Sequence, residues 1–212
     1  MKGQGNQRVA ERFLKTGLCA VLLGAVNGCA LKPKMIASNY VPPKKIAVLP
    51  MSNQSNDLKG PEYIRKELVR HLQKRGYTVF PVQETDEILR TKLGINDGGQ
   101  LNSTTPEKVG EALGADGLIY GDLINFKFVN VGFYQNRLVE AHFKMIDKSG
   151  TPLWEDQRKS SRKEIQTSLK GAGNALARGL AEKAVENMAG VPLWEDVQAV
   201  VRMTVSTLPR AK

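Results

Sequence analysis

The fold of this chain is decided by the stretch Ile46–Phe80, which reads IAVLPMSNQSNDLKGPEYIRKELVRHLQKRGYTVF. It opens with a continuous apolar run, Ile46–Pro50, that has the length of a buried strand. Pro61 then begins a helix, because its missing N–H costs nothing in the first turn, and Gly76 ends that helix. A second short strand follows over Tyr77–Phe80. Strand, helix and strand with short links predict a right-handed parallel β-α-β unit.

The second half of the chain adds a hairpin and long helices. Gly117–Val131 and Leu138–Asp147 read as paired antiparallel strands, and a third strand is indicated around Trp154. Apolar residues then recur at helical spacing over 165–188, and a last helix is indicated over 194–208. We therefore predict an α/β fold: a single domain with a mixed sheet flanked by helices, a β-α-β start, an antiparallel hairpin in the second half and long C-terminal helices.

The first 28 residues have the layout of a secretory signal. A basic segment, residues 1–15, precedes an uncharged and mostly apolar core over 16–26. This core has eleven residues, which is too short to span a bilayer, since a span takes about 20. The next residues, Val26-Asn27-Gly28-Cys29, resemble the bacterial lipoprotein lipobox, where cleavage precedes a cysteine that receives a diacylglyceryl group. We predict a signal peptide over 1–28 and lipid attachment at Cys29.

Residues 29–45 are predicted to form a lipidated tether, because they lack apolar periodicity and contain Pro33, Pro42 and Pro43. The folded domain is predicted over 46–212. The formal net charge is +10, and the signal peptide carries four basic residues and one acidic residue, which leaves +7 on the mature chain. The basic residues are spread through every segment, which is typical of solvated surfaces. We expect no nucleic-acid partner, and peptidoglycan or anionic lipid headgroups as neighbours.

Two short segments resemble a known family. Ile46–Asn53 followed by a helix, and Leu113–Gly121, are similar to the TolB N-terminal domain and to CsgG-like lipoproteins. Together with the lipobox, they resemble proteobacterial outer-membrane lipoproteins that carry this α/β domain. The resemblance implies a periplasm-facing, outer-membrane-anchored component of an envelope assembly or export system, without catalytic residues. Ala30, where enterobacterial sorting to the inner membrane would favour Asp, indicates the outer membrane.

The sequence offers no convincing chemical site. His71 and His142 each lack a second His, Cys or acidic residue at metal-ligand spacing, so we expect surface residues. The segment 96–99 lacks the alternating acids of a calcium loop. The glycines in 171–173 lack the preceding strand of a dinucleotide-binding loop, and no G-x-S-x-G motif is present. We predict no catalytic residue, no cofactor and no metal, hence a protein that is not an enzyme.

Aromatic residues supply the candidate interface. Trp154 and Trp194 lie in two copies of the segment G-x-P-L-W-E-D, and tryptophan is enriched at interfaces. Phe133 and Tyr134 lie at the tip of the predicted hairpin, where they would contact a partner or a membrane. The alternative is that the tip aromatics pack back on the sheet. The last helix is open to the same two interpretations, docking on its own domain or contact with a partner.

We predict that the protein is an accessory or structural component of an envelope export, transport or surface-assembly system. Its partners would be other envelope lipoproteins or export components. One alternative is a regulator that activates peptidoglycan synthesis. Such activators need a long disordered segment to cross the periplasm. Residues 30–45 form only a short one, which favours the accessory or structural role. A second alternative is a pore-forming CsgG-like subunit, which would insert the predicted hairpin into the membrane, although an ordinary sheet explains the alternation of that hairpin equally well.

Overall fold

The computed structural model of the protein contains a mixed β-sheet with helices on both faces. The structure describes residues 31–131, 134–165, 169–191 and 193–211, so the predicted signal peptide and Cys29 lie outside the described residues. The strands are β1 (Met35–Ile36), β2 (Lys45–Val48), β3 (Ser52–Asn53), β4 (Thr78–Val79), β5 (Gly117–Val131), β6 (Tyr134–Asp147) and β7 (Pro152–Ile165). The helices are α1 (Gly60–Lys74), α2 (Val82–Ile88), α3 (Pro106–Leu113), α4 (Leu169–Ala189) and α5 (Trp194–Ser206). A π turn (Leu89–Leu93) and a 3₁₀ turn (Gly98–Ser103) lie between α2 and α3.

The predicted β-α-β start is confirmed. Strands β2 and β4 are parallel neighbours, with Ile46 opposite Val79, and α1 connects them. The Asp57 carboxylate caps the beginning of α1, because its Oδ1 accepts the backbone N–H of Gly60 at 2.6 Å. At the other end the chain turns at Gly76, whose φ of +91° favours glycine. The order of strands across the sheet is β1-β7-β6-β5-β2-β4, and β3 also pairs with β5.

Strands β5, β6 and β7 form one antiparallel meander. The predicted hairpin is confirmed, but β6 begins at Tyr134, and β7 has 14 residues where the sequence indicated only a short strand around Trp154. We call the end of the meander where β5 stops at Val131 and β7 stops at Ile165 the distal end. The opposite, proximal end carries the turn from β6 to β7.

Two apolar cores lie on opposite faces of the sheet. Helices α1 and α5 cover one face, and α2 and α3 cover the other. In α5, the side chains of Val197, Val200, Val201 and Val205 are buried against this core. The interpretation of the last helix as docked on its own domain is therefore confirmed. The apolar side of α5 is the surface that contacts the core.

The free part of the predicted tether is shorter than the sequence indicated. Met35 and Ile36 pair antiparallel with Glu155 and Trp154 of β7, and the hydroxyl groups of Tyr40 and Tyr77 hydrogen-bond at 2.7 Å. The edge of β7 offers unpaired backbone groups, and even a two-residue strand satisfies some of them. The prolines of the segment hid this pairing in the sequence, because they remove the alternation that signals a strand.

Candidate interaction surface

A buried arginine fixes α4 and α5 to the meander. Arg137 projects from β6, and its side chain is only 4% exposed. Its Nη1 donates to Glu182 at 2.9 Å, its Nη2 donates to Glu186 at 2.8 Å, and its Nε donates to Asp196 at 2.9 Å. A guanidinium has a rigid fork of donors, so one side chain can hold three carboxylates in a defined arrangement. We call Arg137, Glu182, Glu186, Asp196 and Arg162 the arginine cluster.

The electrostatics of the arginine cluster favour ionised side chains. Burial would raise the pKa of Asp196, but hydrogen bonds from Arg162, Arg137 and Ser160 outweigh it and lower that pKa. Burial would likewise lower the pKa of Arg137, and its carboxylate partners raise it instead. The two ions therefore compensate for each other's loss of solvation, which is the condition for a buried ion pair to persist.

The arginine cluster turns α4 with its acidic side toward the sheet. Its apolar residues recur at helical spacing, as predicted, but they face away from the domain. Leu176 is 66% exposed, Leu180 is 63% exposed and Met188 is 89% exposed. We call these three side chains the outward face of α4. Amphipathic helices on a globular domain present the opposite arrangement, with apolar residues on the core.

Further apolar side chains are exposed near the distal end. Phe128, Val131 and Ile165 lie within four residues of the ends of β5 and β7, and all three are exposed. Leu58 is exposed on the loop before α1, and residues 54–57 of this loop line a groove together with Phe126 and Phe128. Most of the exposed large apolar side chains of the described residues thus lie on α4 or at this end of the domain, with Val41 and Ile36 as exceptions.

The predicted interface residues have different environments. Trp154 is fully buried, and its Nε1 donates to Thr207 Oγ1 at 3.0 Å. The prediction of Trp154 at an interface is therefore wrong, because this side chain holds α5 on the sheet. Tyr134 is half-buried at the start of β6. Phe133, like Cys29, lies outside the described residues.

Trp194 is half-buried at the rim of a groove between β7 and α5. The groove has a volume of about 480 Å³, and its lining includes Ser160, Arg162, Glu195 and Arg202. A partly exposed tryptophan beside arginine side chains is a combination enriched where proteins bind each other. Trp194 remains a candidate interface residue.

His142 has acidic partners that the sequence did not indicate. Its Nδ1 lies 3.0 Å from Asp122 Oδ2 and its Nε2 lies 3.1 Å from Glu155 Oε1, on the face of the meander away from α5. The expectation of a solitary surface histidine is therefore wrong. The antiparallel register places Asp122 directly opposite His142, although 20 residues separate them in the chain. Ser52 donates its hydroxyl to Asp122 and not to the imidazole, so the histidine does not activate it.

This contact predicts a pH dependence of stability. The pKa of His142 is raised, first by the hydrogen bond to Asp122, and the pKa values of Asp122 and Glu155 are lowered. An imidazole whose pKa is raised in the folded protein contributes stability. This contribution is fully present below the ordinary pKa of about 6.5, and it is lost as the pH rises through the raised pKa. We expect the free energy of unfolding to fall by about 1 kcal/mol across that rise. Urea titrations at several pH values measure it.

His142→Gln is the matched variant for this measurement. The amide keeps hydrogen-bonding capacity but does not titrate, so the loss of stability as the pH rises through the raised pKa of His142 should disappear. An unchanged pH profile in the variant would assign the dependence to other groups. The lowered pKa values of the two carboxylates affect a different window, because their contribution is lost only as the pH falls through those values in acid.

Among the residues that the structure describes, no group of three or more His, Cys, Asp or Glu side chains is arranged to hold a metal ion. No helix among them is both long enough and apolar enough to cross a bilayer.

Comparison with known proteins identifies the family. Residues 37–204, which run from just after β1 into α5, match the GNA1162-like lipoprotein family. The crystal structure of lipoprotein GNA1162 from Neisseria meningitidis superimposes with a TM-score of 0.53 at 21% identity, over 67% of this chain and 99% of that chain. The PelC dodecamer from Paraburkholderia phytofirmans has a TM-score of 0.46 at 11% identity, over 78% of this chain and 89% of that chain.

The C-terminal domain of LpoB from Salmonella enterica has a TM-score of 0.44 at 16% identity, over 59% of this chain and 88% of that chain. No curated protein sequence matches the chain. The likeness to GNA1162 shows a shared fold, and the family match covers most of the chain and nearly every strand and helix described above. The chain therefore belongs to the GNA1162-like lipoprotein family.

Proposed function

We propose that this lipoprotein is anchored through Cys29 in the outer membrane, faces the periplasm, and serves without catalysis as an accessory or structural component of an export or surface-assembly system. The resemblance of Ile46–Asn53 and Leu113–Gly121 to TolB and CsgG-like domains supports this assignment. The family match supports the lipoprotein character on which the assignment is built. Its partners would be other envelope lipoproteins or export components.

The observation that carries the proposal is the short free chain between the anchor and the domain. Lys32 already contacts the domain, because its carbonyl accepts a hydrogen bond from Arg158 of β7 at 2.5 Å. It follows Cys29 by three residues, a length of chain that spans at most about 10 Å. A lipid on Cys29 therefore keeps the domain against the membrane. Activation of a peptidoglycan synthase, the alternative function, needs reach that this segment lacks.

A spacer experiment tests the proposal. Insertion of about 20 Gly and Ser residues between Ala30 and Leu31 releases the domain from the membrane without removing the anchor. After crosslinking in intact envelopes, we expect export components to be captured with the wild-type protein, and several-fold less of them with the spacer variant. The same insertion in the exposed turn between Ser149 and Gly150 leaves the reach unchanged and serves as the control.

Capture of a cell-wall synthase in place of export components would contradict the proposed function. Stronger capture of such a synthase by the spacer variant would favour the regulator, because a longer arm then helps. Equal capture of export components by both insertion variants would show that membrane proximity is not needed.

A further inference from the structure

The direction in which the chain leaves the domain points to one surface. Strand β1 is antiparallel to β7, with Ile36 opposite Trp154 and Met35 opposite Glu155. Residues before Met35 therefore lie beside later residues of β7, and the contact between Lys32 and Arg158 continues this course. The chain leaves the domain toward the distal end, and the anchor at Cys29 is at most about 10 Å from Lys32.

The distal end also carries most of the large apolar side chains that the domain leaves uncovered. They include the outward face of α4 together with Leu58, Phe128, Val131 and Ile165. In water these side chains cost free energy, about 25 cal/mol for each Å² of apolar surface. The arginine cluster holds α4 in this orientation at that cost. The apolar face is therefore a fixed feature of the fold.

Basic residues lie beside Val131 and Ile165. Lys127 of β5 and Lys159 and Lys163 of β7 are exposed, and alternate positions of a strand share one face. In β7 the intervening Ser160 and Arg162 contact Asp196 of α5, so these lysines and Ile165 lie on the sheet face opposite α4 and α5. Exposed apolar residues bordered by lysines are typical of surfaces that lie on a bilayer, since the ammonium groups meet anionic headgroups. Each lysine near an anionic bilayer contributes about 1 kcal/mol.

We propose that the distal end rests on the bilayer that holds the anchor, with the outward face of α4 in contact with the headgroup and acyl boundary. This inference rests on the proposed function, because it takes the lipid on Cys29 as the tether. The bilayer is favoured over a second copy of the chain by the direction in which residues 32–36 run along β7, because the lipid is attached three residues further along that course. The contact orients the domain, and the proximal end with α3 then faces away from the membrane.

The test uses the mature, lipidated protein in vesicles of phosphatidylethanolamine and phosphatidylglycerol. Once Cys29 carries lipid, the mature chain has no other thiol, because Cys19 leaves with the signal peptide. An environment-sensitive fluorophore can therefore be placed at Leu180→Cys or Met188→Cys, both on exposed positions. Glu111→Cys, exposed on α3, is the matched control. Each labelled protein is first shown to float with the vesicles.

We expect labels at positions 180 and 188 to shift their emission to the blue and to lose most of it to lipids that carry a doxyl quencher. The label at position 111 should do neither. A floating protein whose labels at 180 and 188 are not quenched would overturn the inference and leave the anchor intact. A blue shift that needs no lipid and grows with protein concentration would overturn it in favour of a second copy. Failure to float would overturn the anchor, and the inference with it.

Discussion

Replacement of Arg137 by leucine is expected to destabilise the domain by about 3–5 kcal/mol, the usual result when one partner of a buried ion cluster is removed. Three carboxylates, Glu182, Glu186 and Asp196, lose the guanidinium that compensates their burial. The loss is a large part of the total, because domains of this size are stable by about 5–15 kcal/mol. Urea denaturation of Arg137→Leu and wild type at neutral pH measures it.

Arg90→Gln is the matched control for Arg137→Leu. Arg90 also pairs with a carboxylate, Glu87, but both side chains are more than half exposed, so we expect no measurable change. A compensating variant sharpens the test: Glu186 pairs with Arg137, so Glu186→Gln combined with Arg137→Leu removes the charge that the single variant leaves uncompensated and should recover part of the stability. If Arg137→Leu unfolds at the wild-type urea concentration, the cluster does not hold α4 in place, and the outward face of α4 loses its explanation.

The β-α-β start and the packing of α5 could be predicted from the sequence, because both follow from local signals. Pro61 and Gly76 mark the ends of α1, and the apolar spacing in 194–208 marks the buried side of α5. Helical spacing identifies the apolar side of a helix, but it does not tell whether that side packs on the domain or points to solvent. For α4 the direction is set by Arg137, which lies 45 residues before Glu182 and 49 before Glu186. The sequence of α4 itself contains no signal for its contact with Arg137.

The two tryptophans also show that neighbouring residues in the sequence do not determine whether a side chain is buried. Trp154 and Trp194 have identical neighbours in sequence, yet Trp154 lies within β7 and is buried, whereas Trp194 begins α5 and lies at the rim of a groove. Their environments differ because the first copy of G-x-P-L-W-E-D lies in β7, and the segment at the end of α5 covers Trp154 there. The partners of His142 were missed for a related reason, since strand register and not sequence spacing brings Asp122 and Glu155 to it.

Replacement of Cys29 by serine is expected to abolish the lipid anchor completely. The thiol sulfur forms the bond to the diacylglyceryl group that the lipobox resemblance implies, and a hydroxyl is a far weaker nucleophile. We expect the variant to accumulate with its signal peptide attached and to incorporate no labelled fatty acid. Incorporation of radioactive palmitate, followed by electrophoresis, measures both results in one experiment.

Cys19→Ser is the matched control, because Cys19 lies in the apolar core of the signal and should be discarded on cleavage. This variant should be processed and labelled like the wild type. Two or three acyl chains anchor a protein stably, at about 0.8 kcal/mol for each buried methylene. Loss of all of them should therefore release the protein from the membrane. Labelling that survives Cys29→Ser would place the anchor elsewhere. The short reach from Cys29 to Lys32 would then no longer hold the distal end at the bilayer, and the orientation inferred for α4 would fail with it.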